Sequence, residues 1–177
     1  MTHWSRRKFM TTLLATAPAL GARSLLASTD PSRSLQFIHT HTGEHLDVEY
    51  FTNGAYAEDA LGAVNHFLRD FRTGEVHTID PLLLDVLHAL TRATESSTPF
   101  AVISGYRSPA TNQMLRQHSE GVAARSLHMT GRAIDIRLAD VALGSLRAAA
   151  VSLGRGGVGY YPASNFVHVD TGRVRTW

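Results

Sequence analysis

Histidine and aspartate recur at two places in this sequence in patterns that suit metal binding. In Ser126-Leu127-His128-Met129-Thr130-Gly131-Arg132-Ala133-Ile134-Asp135-Ile136, Asp135 stands between two isoleucines in a strand-like run, and Gly131 lets the backbone turn between His128 and Asp135. An acid flanked by core residues must be paired, hydrogen-bonded or metal-bound, because an isolated buried charge is costly. In Phe166-Val167-His168-Val169-Asp170 the valines alternate with His168 and Asp170, so these two polar side chains leave one face of a strand. Together His128, Asp135 and His168 would form a three-ligand zinc site whose fourth position stays open for water or substrate, the arrangement of a catalytic rather than a structural zinc. Spacing alone leaves other readings open. A histidine in a strand is more often a hydrogen-bonded structural residue, and Asp135 could pair with Arg107, Arg132 or Arg137.

Two further residues have chemistry to offer. Arg107, in Ser104-Gly105-Tyr106-Arg107-Ser108, follows a short apolar run and could bind a substrate carboxylate or stabilise an oxyanion through paired hydrogen bonds, or else be a solvated loop residue. Asp170 lies two residues beyond His168, with Cα atoms roughly 6.5–7 Å apart on a regular strand. It could act as a general base, orient His168 through a hydrogen bond, or pair with Arg173.

The elements that must position these residues show in the pattern. Ser34 to His41 and His45 to Phe51, around Thr42-Gly43-Glu44, predict a β-hairpin, and Asn53-Gly54 then turns the chain. Leu61, Val64, Phe67, Leu68 and Phe71 predict an amphipathic helix from Glu58 to Arg72, ended by Gly74. Asp80-Pro81 starts a second helix with an acid at the cap and proline at the first turn. Phe100 to Ser104 reads as a buried strand and Ser108-Pro109 opens a third helix, followed by a loop with Glu120 and Gly121. Ala133 to Leu138 is a strand, Val141 to Leu153 a helix, and Val158 to Tyr161 and Phe166 to Thr171 are two final strands. Strands at both ends and in the middle predict an α+β domain whose helices pack on a central antiparallel sheet.

Composition narrows the chemistry. With no cysteine among 177 residues, disulfides, thiolate metal sites and cysteine nucleophiles are excluded. A formal charge of +2 gives no reason to expect a nucleic-acid partner. Ser5-Arg6-Arg7-Lys8-Phe9-Met10 followed by the apolar run Thr11 to Leu20 reads as an export leader of the twin-arginine type, too short to be an ordinary membrane span. An N-terminal amphipathic helix or a retained anchor is the alternative. The expected organisation is a signal peptide over 1–27, with an unclear cleavage point, and one domain over 28–177.

The segments SGYRS, SLHMTGRAIDI and GVGYYPASNFVHVDTG resemble the zinc D-alanyl-D-alanine peptidase superfamily, which includes the hedgehog signalling domain. Within it the chain most resembles murein endopeptidase K-like proteins, over nearly all of the sequence beyond the leader. The resemblance implies that superfamily's α+β fold and makes His128, Asp135 and His168 the ligands of one zinc ion. It makes Arg107 the stabiliser of the transition state, gives Ser126 a role in positioning the first ligand or contacting substrate, and places Tyr106 beside Arg107 as a substrate-binding residue. The implied activity is hydrolysis of peptide bonds in peptidoglycan cross-links or stem peptides, for cell-wall remodelling in the periplasm, after passage through the twin-arginine translocase. The chain departs from the superfamily at the general base. Glu-x-x-His or His-x-His is usual before the last ligand, and here those positions are Asn165 and Phe166, which leaves Asp170 as the local substitute. That departure keeps a second reading open, a non-catalytic zinc-containing module that binds peptidoglycan or a protein. A third is a zinc peptidase or amidase acting on free peptides.

Overall fold

The computed structural model describes residues 1, 32–118 and 122–177. The leader and the loop at Glu120 and Gly121 fall outside them.

Alternation of apolar and polar residues builds the first strands as expected. β1 (Arg33–His39) and β2 (His45–Thr52) pair antiparallel, burying Leu35, Phe37, Val48 and Tyr50 on one face. Asn53 and Gly54, both at positive φ, turn β2 into the two-residue strand β3 (Ala55–Tyr56). α1 spans Glu58–Phe67, and α2 (Pro81–Thr94) starts where Asp80 accepts a hydrogen bond from the Leu82 amide. Leu83, Leu84, Leu87 and Leu90 of α2 are fully buried, each contributing about 1.5–3 kcal/mol by leaving water.

β4 (Phe100–Ser104), α3 (Pro109–His118), β5 (Ala133–Arg137), α4 (Leu143–Leu153), β6 (Gly157–Tyr161), β7 (Phe166–Asp170) and β8 (Arg175–Thr176) follow among the described residues. A four-residue 3-10 turn, Leu127–Thr130, precedes β5. The eight strands form one sheet in the order β3-β2-β1-β4-β5-β7-β6-β8. Its centre, β4-β5-β7-β6, is antiparallel, while β1 with β4 and β6 with β8 are parallel pairs. Ile134 and Ile136 of β5 and Val167 and Val169 of β7 join the core with Leu146 and Ala150 of α4. The alternate residues of those strands, Asp135 and His168 among them, face the other way.

The sequence pattern does not predict the two-residue strands β3 and β8, and one helix is shorter than its pattern. The first helix ends at Phe67 and not at Arg72. The Leu68 carbonyl accepts from the Tyr106 amide, the Asp70 carboxylate accepts from the Arg72 amide, and the Asp70 carbonyl accepts from Gly74. These contacts turn the backbone away from the helix that the apolar spacing suggested.

Candidate metal centre

Asp135 of β5 and His168 of β7 are direct partners in the antiparallel ladder, so their side chains stand side by side on one face. His128 comes from the 3-10 turn, which is stitched to the end of β4. Its Nδ1–H donates to the Gly105 carbonyl at 2.7 Å, and the Arg107 amide donates to the His128 carbonyl at 3.2 Å. The turn closes at Gly131, φ +65°, where a Cβ would collide with the Thr78 carbonyl oxygen. The glycine that gives the chain its turn between His128 and Asp135 also lets it pass close under the Thr78–Asp80 segment, whose Asp80 amide donates to the Gly131 carbonyl.

Three atoms converge. His128 Nε2 is 3.1 Å from His168 Nδ1 and 3.3 Å from Asp135 Oδ1, and His168 Nδ1 is 2.9 Å from Asp135 Oδ1. His128 commits Nδ1–H to Gly105, and His168 commits Nε2–H to Asp170 Oδ2 at 3.1 Å. The remaining nitrogen lone pairs therefore point at each other and at a carboxylate oxygen, an assembly of acceptors that calls for a cation between them. Donors of a tetrahedral zinc at 2.0–2.1 Å lie about 3.3 Å from one another, so the His2Asp set fits that ion.

Burial and these contacts act together on the three ionisable groups. Burial would push the Asp135 carboxyl up, but His128 and His168 hold it well below the usual carboxylate range. Burial lowers His128 despite the neighbouring Asp135. Burial pulls His168 down as well, but hydrogen bonds to Asp135 and Asp170 outweigh it and raise the imidazole above its ordinary value.

The three residues line a cleft of about 470 Å³. Arg107 lines it too, with Nη2 3.6 Å from Asp135 Oδ2 and Nε buried without a hydrogen-bond partner; burial pulls its guanidinium below the usual range, with Asp135 opposing. Ser126 lines the cleft beside the turn, and its hydroxyl makes no capping bond to that turn.

Two expected site residues lie elsewhere. Tyr106 is 4% exposed and does not line the cleft; its hydroxyl donates to Glu75 at 2.6 Å and its ring stacks on His77 at 4.6 Å. Its backbone is tied to Leu68, which turns the side chain into the core while Arg107 reaches the cleft. Asp170 shares a face with His168 as the strand period required, but it sits behind the imidazole, against Nε2, and not on the side where the three donor atoms meet. Its oxygens are filled by the Gly157 and Gly172 amides and by Arg175, and it is 1% exposed. A carboxylate so placed touches His168 from behind and does not line the cleft. Among the described residues, Asp135 is the only carboxylate lining the cleft.

Sequence reasoning did not single out Tyr161, Trp177, Arg125 and Arg175, which also line the cleft. Tyr161 was within reach. The four residues Pro162 to Asn165 join β6 to β7, and that hairpin pairs Tyr161 with Phe166 and Gly159 with His168. Trp177 gave no local signal, because only the reversal after Gly172 brings β8 alongside β6.

A family model described as peptidoglycan L,D-endopeptidase MepK matches residues 27–177. The chain is 45% identical over 150 residues to the peptidoglycan L,D-endopeptidase MepK of Escherichia coli K12, covering 85% of this chain and 82% of that protein. It is 44% identical over 153 residues to a probable peptidoglycan L,D-endopeptidase MepK of Haemophilus influenzae, covering 86% and 82%. Among solved structures it is similar to the L-Ala D-Glu endopeptidase ChiX of Serratia marcescens, with a TM-score of 0.36, 23% identity and coverage of 54% of this chain and 69% of that one.

Proposed function

Because the chain belongs to the peptidoglycan L,D-endopeptidase MepK family, we propose that it hydrolyses peptide bonds in peptidoglycan cross-links or stem peptides, with one zinc ion held by His128, Asp135 and His168. The observation that carries the metal assignment is the convergence of His128 Nε2, His168 Nδ1 and Asp135 Oδ1 within 3.3 Å at a cleft. When bound, zinc supplies Lewis-acid polarisation of the scissile carbonyl.

The chain's own residues do the rest. Asp170 keeps its oxygen on His168 Nε2–H and so fixes the tautomer that leaves Nδ1 as a donor atom. Gly105 does the same for His128 through Nδ1. Arg107, with its guanidinium at the cleft beside Asp135, stabilises negative charge gathering on the carbonyl oxygen. Ser126 presents a hydroxyl to bound peptide. Peptidoglycan lies outside the cytoplasmic membrane, so the enzyme acts after export to the periplasm, and the Arg6-Arg7 leader is the feature that supports the twin-arginine route.

The deciding experiment digests purified peptidoglycan with the purified protein and identifies the fragments by mass spectrometry. New muropeptides with free amino and carboxyl ends should appear, vanish on chelation and return with zinc. Zinc binding without any cleavage of sacculi or isolated muropeptides would overturn the hydrolytic reading in favour of a binding module.

A further inference from the structure

The β6–β7 hairpin sets Tyr161 opposite Phe166 and Gly159 opposite His168, so Tyr161, Gly159 and His168 look out from the same face of the sheet. Gly159 has no side chain there because the space belongs to Trp177: a Cβ would lie 2.7 to 2.9 Å from the indole. Backbone hydrogen bonds, Tyr160 N–H to the Trp177 carbonyl at 3.0 Å and Trp177 N–H to the Val158 carbonyl at 3.2 Å, hold the indole in place. Its ring centre is 5.2 Å from that of His168, and its Nε1–H donates to the Tyr161 phenol oxygen at 2.8 Å. Phe166 stacks on the phenol ring at 4.6 Å and 19°.

The phenol is thus fixed from two sides. An indole N–H only donates, so Trp177 occupies an acceptor position of the phenol oxygen and leaves the phenol's own O–H to donate. Among the described residues that O–H has no acceptor, and Tyr161 lines the cleft with Arg107 and the three metal-binding side chains. A donor braced by two neighbours, polarised by a second donor and lining a cleft near Arg107 is the equipment for binding charge that appears only during reaction.

We propose that Tyr161 is a catalytic residue whose phenol donates a hydrogen bond to the scissile carbonyl oxygen as it becomes an oxyanion, alongside Arg107, and that Trp177 positions it. This rests on the hydrolytic reading given above. No bond at Tyr161 is made or broken: water and the peptide become a carboxylate and an ammonium group, and the phenol keeps its proton throughout.

The test compares the zinc-loaded wild-type protein with Tyr161→Phe and Trp177→Phe on a purified cross-linked muropeptide. Tyr161→Phe should lower kcat about 100-fold or more, the usual effect of deleting an oxyanion donor. KM and zinc content by elemental analysis should stay near wild type. A phosphinate analogue of the cross-link, with tetrahedral phosphorus at the scissile carbon, should bind Tyr161→Phe more weakly by a similar factor in calorimetry, while a short product peptide should bind equally well. Trp177→Phe, which keeps a ring but loses the N–H, should shift kcat and analogue affinity in the same direction by less. With the wild type turning over, wild-type kcat and analogue affinity in Tyr161→Phe overturn the proposal alone. Should that variant not fold, unchanged analogue affinity in Trp177→Phe overturns it. A wild-type protein that loads zinc yet cleaves nothing fails the peptidase reading, and this one with it.

Discussion

Arg175 grips both carboxylate oxygens of Asp170, Nη2 to Oδ2 at 2.7 Å and Nη1 to Oδ1 at 3.1 Å. The Gly157 and Gly172 amides add two more bonds to Oδ1. Burial would raise this carboxyl, but His168, Arg175 and the two amides hold it well below the usual carboxylate range. Asp170 is therefore a fixed anion against which the His168 ring is aligned.

Asp170→Asn puts that role to measurement. The variant should bind zinc about 10–100-fold more weakly, as expected when a partner of a metal-binding histidine is lost. Turnover should recover as zinc is raised. A loss of two orders of magnitude that persists at saturating zinc, the usual worth of general-base catalysis, would restore the base role to Asp170.

The metal site itself is tested by His128→Ala, Asp135→Ala and His168→Ala. Each should remove zinc, read by elemental analysis of the purified protein, and each should abolish cleavage of peptidoglycan. Full zinc occupancy in His168→Ala would count against the site as drawn.

Asp70 makes an acid-stability prediction away from the metal. Its buried carboxylate accepts from Ser108 N at 2.9 Å, Ser108 Oγ at 2.7 Å and Arg72 N at 3.0 Å, and so ties the Leu68–Gly74 loop to the residue after Arg107. Burial raises this carboxyl, but hydrogen bonds from Thr111, Ser108 and Arg72 outweigh burial and lower it below its ordinary value. A depressed folded pKa means that the stabilisation is fully present above the unfolded carboxylate's pKa and is lost as pH falls through the folded one. Asp70→Asn should cost about 2 kcal/mol at pH 7 and flatten the fall in stability on acidification, measured by urea unfolding between pH 7 and pH 3. An acid limb as steep as that of the wild type would show that other carboxylates govern it.

Replacing Arg6 and Arg7 by Lys should keep the protein in the cytoplasm, as cell fractionation would reveal. Unchanged export of the double variant would remove the twin-arginine route.

Much of this was legible before any coordinates because it is local. The hairpin around Thr42-Gly43-Glu44, the capped start of α2 at Asp80-Pro81 and the strands at Ile134 and Val167 follow from alternation and capping, which act over a few residues. His128, Asp135 and His168 meet as expected because two of them lie on strands that pair and the third is one tight turn away. What local pattern could not show was set by distant partners. Leu68 stops its helix because Tyr106 claims its carbonyl. That Arg175 and two glycine amides surround Asp170, behind the His168 ring, was not legible either, since strand period alone says nothing of which side of a ring a neighbour takes. Tyr106 adjoins Arg107 in sequence, yet its hydroxyl belongs to Glu75.

The ladder that joins Asp135 to His168 has a kinetic consequence. Both residues sit on the central strands of the eight-stranded sheet, where amides exchange with solvent deuterium only when the whole fold opens. His128 rides on a four-residue turn that is tied to its surroundings by single hydrogen bonds and not by a strand ladder, so it can open while the sheet stays closed. The site thus has a slow wall and a fast one. Chelation should leave the amides of β5 and β7 as protected as before while protection is lost around Leu127–Thr130, so that metal exchange proceeds through the turn, with the sheet standing throughout as a template already shaped for the ion.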